Sequence, residues 1–459
     1  MALWFDVDDL VRYFGFNARP TGIQRLSLVL FRELQAMALS GTPILFCRRQ
    51  ATAPFFQPVD FPALEARLSA LIEAPPAMAA RPKPAWRLPK PGWRRHLPLR
   101  QRASLGRIAR ALRELASAGR DLLTLPASHG HVAGAHQFDL PGRVTFAPGD
   151  WLINLGSSWN APYQPAALAH LQGSGVRFAV TVCDLIPELF PEWSAADTLR
   201  EFRTWMSDTL PAADFLFAIS RNTEADLRRF FSQNAMPIPP VKTLPMGGAR
   251  HMKTVVTPPP LRPFVLFVST IEVRKNHALM FRVWKQLLAR HPDAQIPDLV
   301  FAGKPGWLTN DLRSQFENAN WLGGKIRFCE SPTDAELSRL YQQCMFTVYP
   351  SLYEGWGLPV SESLSFGKTV AASNRASIRE AGGDFCTYFD PENLTEATDI
   401  IGGLIGAPER IAALERHIAQ NYNPPGWGDV ATVLVEAIAQ YQTLPPCEQL
   451  EGQIPMPSC

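Results

Sequence analysis

Short, continuous apolar runs, each followed by a turn and then by a helical pattern, recur along most of this 459-residue chain. Val176–Val182 and Phe215–Ile219 are two such runs. Strands that are apolar on both faces are typical of a parallel sheet covered by helices on each side. The sequence therefore predicts an α/β protein built from doubly wound sheets.

A proline-rich stretch separates two series of these runs. Pro237–Pro240 precedes a predicted linker at about 245–262, Pro258–Pro260 lies within it, and the pattern starts again at Phe264–Val268. A chain of this length is also too long for one ordinary core. We predict an N-terminal domain at 1–250, a C-terminal domain at 260–440 and a tail at 441–459, with a ligand cleft between the domains.

Residues from about 60 to 145 interrupt the pattern with a basic, proline-rich insertion. Within it, Arg81–Arg120 contains 12 Lys or Arg residues and one acid, Glu114. Two interpretations stay open. The segment binds an anionic membrane surface through its cations and apolar residues, or those apolar residues pack on the N-terminal domain and the arginines are solvated. The apolar residues concerned are Trp86, Trp93, Leu105, Ile108 and Leu112.

Composition excludes several classes of protein. The seven cysteines are scattered and have no C-x-x-C spacing, so a zinc site or a disulfide framework is not expected. Neither a signal peptide nor an apolar run of about 18 residues is evident. A net charge of +3 is small for this size and does not indicate a nucleic-acid partner. We expect a cytoplasmic protein whose membrane contact, if it has one, is peripheral.

One loop in the second series of apolar runs gives the clearest indication of a ligand site. A strand ending at Tyr349 leads into a loop with two glycines, and Pro359 suits the start of the helix that follows. This arrangement predicts free N–H groups near Gly357, Leu358 and Val360, beyond the carboxyl end of a parallel strand. Such a place is an anion and ligand site by geometry.

Two carboxylates flank that helix start. Glu354 lies in the loop and Glu362 in the first helical turn, so both can face the same cleft. The alternative is structural: Glu362 stabilises the helix dipole without a ligand, and the glycines form a tight turn.

Residues 349–364 read Y-P-S-L-Y-E-G-W-G-L-P-V-S-E-S-L. This segment resembles the Glu-x7-Glu region of glycosyltransferase family 4, the group 1 glycosyl transferases, and the similarity runs from about Val265 to about Asp390. The resemblance implies a GT-B fold, in which two Rossmann-like domains face each other across a cleft, and retaining transfer from a nucleotide sugar. It also implies that Glu362 binds the donor ribose and Glu354 the transferred sugar. The other donor-binding residues that it implies are Gly355, Gly357, Leu358 and Pro359.

A basic pair follows the first strand of the second domain. Arg274 and Lys275 match a pair that the family carries there, where fixed cations would stabilise the charge of the departing diphosphate. Ser269 and Thr270 precede them as predicted donor-phosphate residues, although the family usually has a glycine where Ser269 stands. The alternative for the pair is a solvated basic turn.

The N-terminal domain is expected to hold the acceptor. Residues 19–25, R-P-T-G-I-Q-R, resemble a loop of the family branch associated with polysaccharide assembly. By that resemblance Thr21 and Gly22 form a loop that approaches the acceptor and the donor diphosphate.

Two further cleft residues are expected from the same domain. Residues 182–187, V-C-D-L-I-P, resemble the family's H-D-L-I-P segment, with Cys183 where many members have histidine. Asp184 is retained and is assigned to the catalytic group. Ser220 ends the next strand and is predicted to line the cleft.

We expect no metal and no other cofactor. Asp6-Val7-Asp8-Asp9 matches a D-x-D pattern, but it follows the first strand and lacks the sugar-nucleotide domain of the metal-dependent enzymes. His129, His131 and His136 lack a supporting set of ligands.

These observations predict a retaining, metal-independent transferase that moves a hexose, with mannose from GDP-mannose preferred by resemblance. Its expected acceptor is a saccharide or a lipid-linked saccharide of bacterial exopolysaccharide, capsule or lipopolysaccharide assembly. One alternative is another GT-B enzyme, such as a sugar-nucleotide epimerase. Another is a non-enzymatic protein that binds nucleic acid or other anions through the basic segment.

Overall fold

The computed structural model describes residues 1–17, 19–39, 42–49, 55–73, 138–160, 162–249, 260 and 262–443. The chain divides into two compact units. The larger comprises 1–10, 21–61 and the chain from 139 onward, and it contains two sheets of mainly parallel strands flanked by helices. The α/β prediction is therefore confirmed. The smaller comprises 11–20 and 62–138, and the basic segment Arg81–Arg120 and the three loop histidines lie outside the described residues.

The first sheet has seven described strands in the order β3-β2-β1-β4-β5-β6-β7. Only β3 is antiparallel to its neighbour. Every residue of β4 and β6 is buried, as their unbroken apolar sequences predict. The strands are β1 (Leu3–Asp6), β2 (Ile44–Arg49), β3 (Phe56–Pro58), β4 (Trp151–Asn154), β5 (Arg177–Val182), β6 (Phe215–Ala218) and β7 (Val241–Thr243).

Helices alternate with these strands along the chain. The helices described before residue 250 are α1 (Asp8–Phe16), α2 (Gly22–Leu39), α3 (Phe61–Glu73), α4 (Pro165–Gly173), α5 (Ile186–Leu189), α6 (Ala196–Asp208) and α7 (Arg221–Gln233). The larger part of α1 and of α3 belongs to the smaller unit.

The second sheet has six described strands, all parallel, in the order β10-β9-β8-β11-β12-β13. The strand order reverses between β8 and β11, and doubly wound sheets bind ligands at the carboxyl ends of the strands at such a point. The strands are β8 (Phe264–Val268), β9 (Asp298–Gly303), β10 (Ile326–Glu330), β11 (Thr347–Tyr349), β12 (Val370–Ser373) and β13 (Cys386–Phe389).

Helices of this part cover two clusters of buried apolar residues that include residues of the sheet, and the larger cluster contains Trp284. Trp284 lies fully buried in it, and its indole N–H donates to the carbonyl of Pro297 at 2.9 Å. The helices are α8 (His277–Arg290), α9 (Asn310–Asn318), α10 (Asn320–Gly324), α11 (Asp334–Gln343), α12 (Leu358–Ser365), α13 (Ile378–Gly382), α14 (Leu394–Ile405), α15 (Pro408–Asn421) and α16 (Trp427–Thr443).

The last helix returns to the first domain. The ring of Tyr441 in α16 lies 5.8 Å from that of Trp151 and 5.3 Å from that of Phe215, centroid to centroid. At the start of α16, the Trp427 indole N–H donates to the carbonyl of Gly248 at 2.9 Å. Here the first domain is the part of the chain around the first sheet, and the second domain is the part around the second sheet. The chain therefore crosses between the domains twice.

Candidate functional site

Two loops meet at the carboxyl edge of the second sheet. One follows β8 and the other follows β11, and the Leu352 N–H donates to the carbonyl of Arg274 at 2.9 Å to join them. Asn276 ends the first loop in the left-handed region, at φ 59°, and its side chain caps α8 by accepting from Leu279 N. Its amide also donates to the carbonyls of Pro350 and Pro391, at 3.3 and 2.9 Å. These hydrogen bonds therefore join the two loops into one assembly.

Glu354 lies at the centre of this assembly and is buried. Its carboxylate accepts from the Arg274 guanidinium and the Lys275 ammonium, and from the Tyr349 hydroxyl at 2.9 Å. Burial raises the pKa of Glu354, but the two neighbouring cations outweigh it and lower the pKa to about 2. Glu354 is therefore ionised throughout the physiological range.

The basic pair that the sequence predicted is brought against Glu354, but its two members differ. Burial lowers the pKa of Arg274, and Glu354 and Glu272 overcome this and raise it, so the guanidinium stays charged. Burial and the neighbouring Arg274 lower the pKa of Lys275, against the opposing effect of Glu354. The pair therefore combines a permanent cation with one whose charge depends on its carboxylate neighbour.

The glycines are required by close approach and by backbone conformation. A Cβ on Gly355 would lie 2.1 Å from the carbonyl oxygen of Cys183, so only glycine lets the two backbones meet. Gly357 has φ +112° and precedes α12, which begins at Leu358 with Pro359 next. The Val360 N–H donates to the carbonyl of Gly357 at 2.9 Å, so the prediction that it is free for a ligand is wrong.

Glu362 lies one turn into α12 and accepts from the Tyr341 hydroxyl at 2.7 Å. It lines a small cavity with Leu358, Ser361 and Trp427. Arg25, from the first turn of α2, also lines this cavity and pairs with Asp334 at 2.8 Å. The sequence motif contained Arg25, but no role was predicted for it because its partner is 309 residues away.

Asp184 and Cys183 approach the assembly from the first domain. Burial raises the pKa of Asp184, and Arg274 is the largest opposing influence. The carboxylate also accepts from Ile186 N at 3.0 Å. Burial raises the pKa of the Cys183 thiol well above its ordinary value, so the thiol stays protonated and cannot act as a base in place of histidine.

The predicted donor-phosphate residues have partners within the second domain. The Ser269 hydroxyl lies 3.4 Å from Nε2 of His277, whose ring stacks on Phe267 at 4.3 Å. Burial, with a smaller effect of Lys275, lowers the pKa of His277 to about 3, so this imidazole is neutral. Thr270 is half-buried beside the loop that follows β9, where a Cβ on Gly306 would lie 2.9 Å from its methyl group.

The predicted acceptor loop lies against α12. A Cβ on Gly22 would lie 3.6 Å from the Leu358 side chain, and the Thr21 hydroxyl donates to Gln24. Ser220 is fully buried and caps α7, where it accepts from Thr223 N at 2.9 Å. Its hydroxyl is therefore used by the helix rather than presented to the cleft.

The acidic run after β1 is neutralised internally. Asp6 accepts from the Tyr163 hydroxyl at 2.6 Å, and Arg49 pairs with Asp6 and Asp8 at 3.1 and 3.5 Å. Burial raises the pKa of Asp9 to about 7. Within the described ranges, no grouping of His, Cys, Asp and Glu suits a metal ion. These contacts give the D-x-D pattern a structural explanation.

Known proteins resemble this chain in both sequence and fold. Residues 252–420 match the family model described as Glycosyl transferases group 1. The O-antigen chain mannosyltransferase B of Escherichia coli is 27% identical over 270 residues, which are 56% of this chain and 64% of that protein. The serotype-specific mannosyltransferase WbdA of the same organism is 24% identical over 279 residues, 57% of this chain and 34% of that protein. The matches therefore span less than two thirds of these relatives.

Solved structures extend the likeness to the whole chain. The structure of Anabaena HepE in complex with UDP and glucose matches with a TM-score of 0.53 at 13% identity, over 96% of this chain and 100% of that one. A trehalose-6-phosphate synthase matches with a TM-score of 0.50 at 14% identity, over 64% and 74% of the two chains. At such identities the likeness concerns the fold alone, and the predicted GT-B architecture is confirmed. In sequence, residues 252–420 are similar to the group 1 glycosyl transferases.

Proposed function

We propose that this protein is a glycosyltransferase that moves a hexose from a nucleotide sugar to a saccharide acceptor, with retention of configuration and without a metal. The observation that carries this proposal is the contact of Glu354 with both Arg274 and Lys275. A carboxylate suited to sugar hydroxyls thus lies beside two cations suited to a departing diphosphate. Glu362, at the cavity near the start of α12, is the proposed ribose ligand.

The proposed reaction occurs on one face of the donor sugar. The bond between the anomeric carbon and the diphosphate oxygen breaks, and its electron pair leaves with the diphosphate. The acceptor hydroxyl gives its proton to that oxygen, and its own oxygen bonds to the anomeric carbon on the same face. Arg274 and Lys275 then stabilise the developing charge, and the two domains hold the reactants in position.

The contacts of Glu354 favour this mechanism over a covalent sugar–enzyme intermediate. Both carboxylate oxygens already accept from cations, and Tyr349 donates to one of them. The pKa of about 2 also means that the Glu354 carboxylate is only weakly basic. A group bound in this way is suited to hydrogen bonding with the sugar rather than to attack on it.

We propose mannose as the transferred sugar and a bacterial surface polysaccharide, such as an O-antigen, as the product. The support is the likeness to relatives named as mannosyltransferases. Transfer is tested with GDP-mannose, UDP-glucose and UDP-galactose as donors, each with a mannose-terminated oligosaccharide as the acceptor.

We also propose that Arg81–Arg120 holds the enzyme at an anionic membrane surface, next to a lipid-linked acceptor. The support is the 12 cations against one acid in the sequence, since each basic residue at such a surface adds about 1 kcal/mol. Among the described helices, none is long and apolar enough to cross a membrane. Co-sedimentation with anionic vesicles, lost on deletion of residues 81–120, is the expected result. Equal sedimentation of the deletion variant would exclude this role.

Thermal unfolding with each nucleotide sugar tests the donor site. A donor at 100 times its Kd stabilises the folded state by about 2.7 kcal/mol. Glu362→Ala should lose most of that shift, and Glu317→Ala, an exposed glutamate of α9, should keep it. Absence of a shift with every nucleotide sugar, together with tight salt-sensitive DNA binding, would favour the nucleic-acid alternative. Turnover of the donor to an epimer without an acceptor would favour the epimerase alternative.

A further inference from the structure

The loop that carries Glu354 is held by the first domain through Tyr353. The Tyr353 hydroxyl donates to Asp226 at 2.6 Å and accepts from the Asn222 amide at 2.9 Å, and both partners belong to α7. Its ring lies 4.9 Å from that of Phe190, another residue of the first domain. Arg229 pairs with the other oxygen of Asp226 at 3.0 Å, so this carboxylate is charge-compensated.

The backbone of Tyr353 is held by the second domain instead. Arg274 donates to the Tyr353 carbonyl at 2.9 Å, and the same nitrogen donates to the Glu354 carboxylate. Ser377 donates to the Glu354 carbonyl at 2.7 Å. The first domain therefore binds the hydroxyl of Tyr353, and the second domain binds its carbonyl. A planar peptide bond connects Tyr353 directly to Glu354.

A second contact joins α7 to the second domain. The Glu380 carboxylate accepts from Arg221 N at 2.9 Å and from Asn222 N at 2.8 Å. These are two of the N–H groups that a helix start leaves without intrahelical partners, and Ser220 caps the next one, Thr223 N. The start of α7 is thus bound by the second domain at two points, Tyr353 and Glu380.

We propose that Tyr353 couples contact between the two domains to the placement of Glu354, so that the sugar-binding carboxylate is positioned only when the domains are closed. This inference rests on the proposed function. When α7 moves away, the Tyr353 hydroxyl loses both partners and the loop loses its anchor in the first domain. Arg274 still binds the loop from the second domain, but the side of the loop that faced α7 is no longer held and can shift. Tyr353 acts through Glu354 and is a positioning residue.

The coupling has a chemical consequence for the donor. A donor bound to the second domain alone meets an incompletely positioned Glu354, so its glycosidic bond is not activated while water has access. Closure brings the acceptor site and the positioned carboxylate together in one step. The enzyme is therefore expected to favour transfer over hydrolysis because of this contact.

Tyr353→Phe tests the proposal, because it keeps the ring against Phe190 and removes both hydrogen bonds. We expect kcat for transfer to fall about 10-fold or more, which matches the loss of one hydrogen bond to a charged group. The Kd for the nucleoside diphosphate should stay within about 2-fold, and the hydrolysed fraction of the donor should rise. Tyr388→Phe is the matched control, because that hydroxyl donates to Gly383 at 2.8 Å inside the second domain.

Two further measurements keep the test decisive. Asp226→Ala should reproduce the effect of Tyr353→Phe, and the double variant should be no slower than either single variant. Hydrogen exchange of residues 221–223 should rise in Tyr353→Phe and not in the Tyr388→Phe control, whether or not a donor has been found. Unchanged exchange, additive losses in the double variant, or wild-type transfer by Tyr353→Phe would each overturn the coupling. Failure of the wild-type protein to transfer any sugar would instead overturn the proposed function.

Discussion

Glu354→Gln should destabilise the folded protein by about 3 kcal/mol near neutral pH. The substitution keeps the shape of the side chain and removes the charge that compensates the buried Lys275 and, together with Glu272, the buried Arg274. The pKa of Glu354 falls from its ordinary value of 4.5 to about 2 on folding. One pKa unit corresponds to about 1.4 kcal/mol, so this lowering of the Glu354 pKa gives a difference of about 3 kcal/mol in the free energy of unfolding.

The same argument predicts how the stability difference between the wild type and Glu354→Gln changes with pH. A carboxylate whose pKa is lower in the folded state contributes its full stabilisation above the unfolded value and loses it as the pH falls. The advantage of the wild type over Glu354→Gln should therefore be complete above about pH 4.5 and disappear towards pH 2. Urea unfolding followed by tryptophan fluorescence at pH 7 and at pH 3 measures it. Glu317→Gln, at an exposed glutamate, serves as the control. Equal free energies of unfolding for wild type and Glu354→Gln at pH 7 would refute the electrostatic argument.

Three further predictions concern catalysis and donor binding. Lys275→Ala should lower kcat by roughly two to three orders of magnitude, as for removal of one charge-stabilising group, whereas EDTA should leave wild-type kcat unchanged; a loss with EDTA would indicate a metal. Glu362→Ala should raise the Kd for the nucleotide sugar, and Glu354→Ala should mainly lower kcat; wild-type values in both would show that the site is elsewhere. Arg25→Ala should weaken donor binding at least several-fold in calorimetry, while Asp334→Asn, which breaks the same half-exposed pair, should not. Equal weakening in both variants would mean that the pair is only structural.

Local pattern in the sequence was sufficient for the α/β architecture. Unbroken apolar runs such as Phe264–Val268 mark strands buried on both faces, and the structure places that strand at the predicted residues. The resemblance assigned Glu354 and the pair Arg274 and Lys275 to separate roles, and the structure brings all three into contact. Short edge strands such as β3 and β7 were missed, because three residues carry no measurable periodicity.

Contacts between the domains could not be read from the sequence. Arg25 meets Asp334, and Tyr353 meets Asp226 across 127 residues, and neither pair has a local pattern that connects its members. Ser220 was predicted to line the cleft because it ends a strand. In the structure its side chain caps α7 instead. Resemblance predicted which residues form the donor site, whereas the contacts between the domains required the folded chain.

Anomeric analysis of the transfer product tests the central claim most directly. The protein is incubated with GDP-mannose and a mannose-terminated oligosaccharide in the presence of EDTA, and the product is examined by mass spectrometry and proton NMR. The proposed function predicts addition of one hexose through a linkage with the same anomeric configuration as the donor, and no such product from Glu354→Gln. A product of inverted configuration, or a requirement for divalent metal, would contradict the mechanism. Absence of transfer from each of the three nucleotide sugars would contradict the assignment of donor and acceptor.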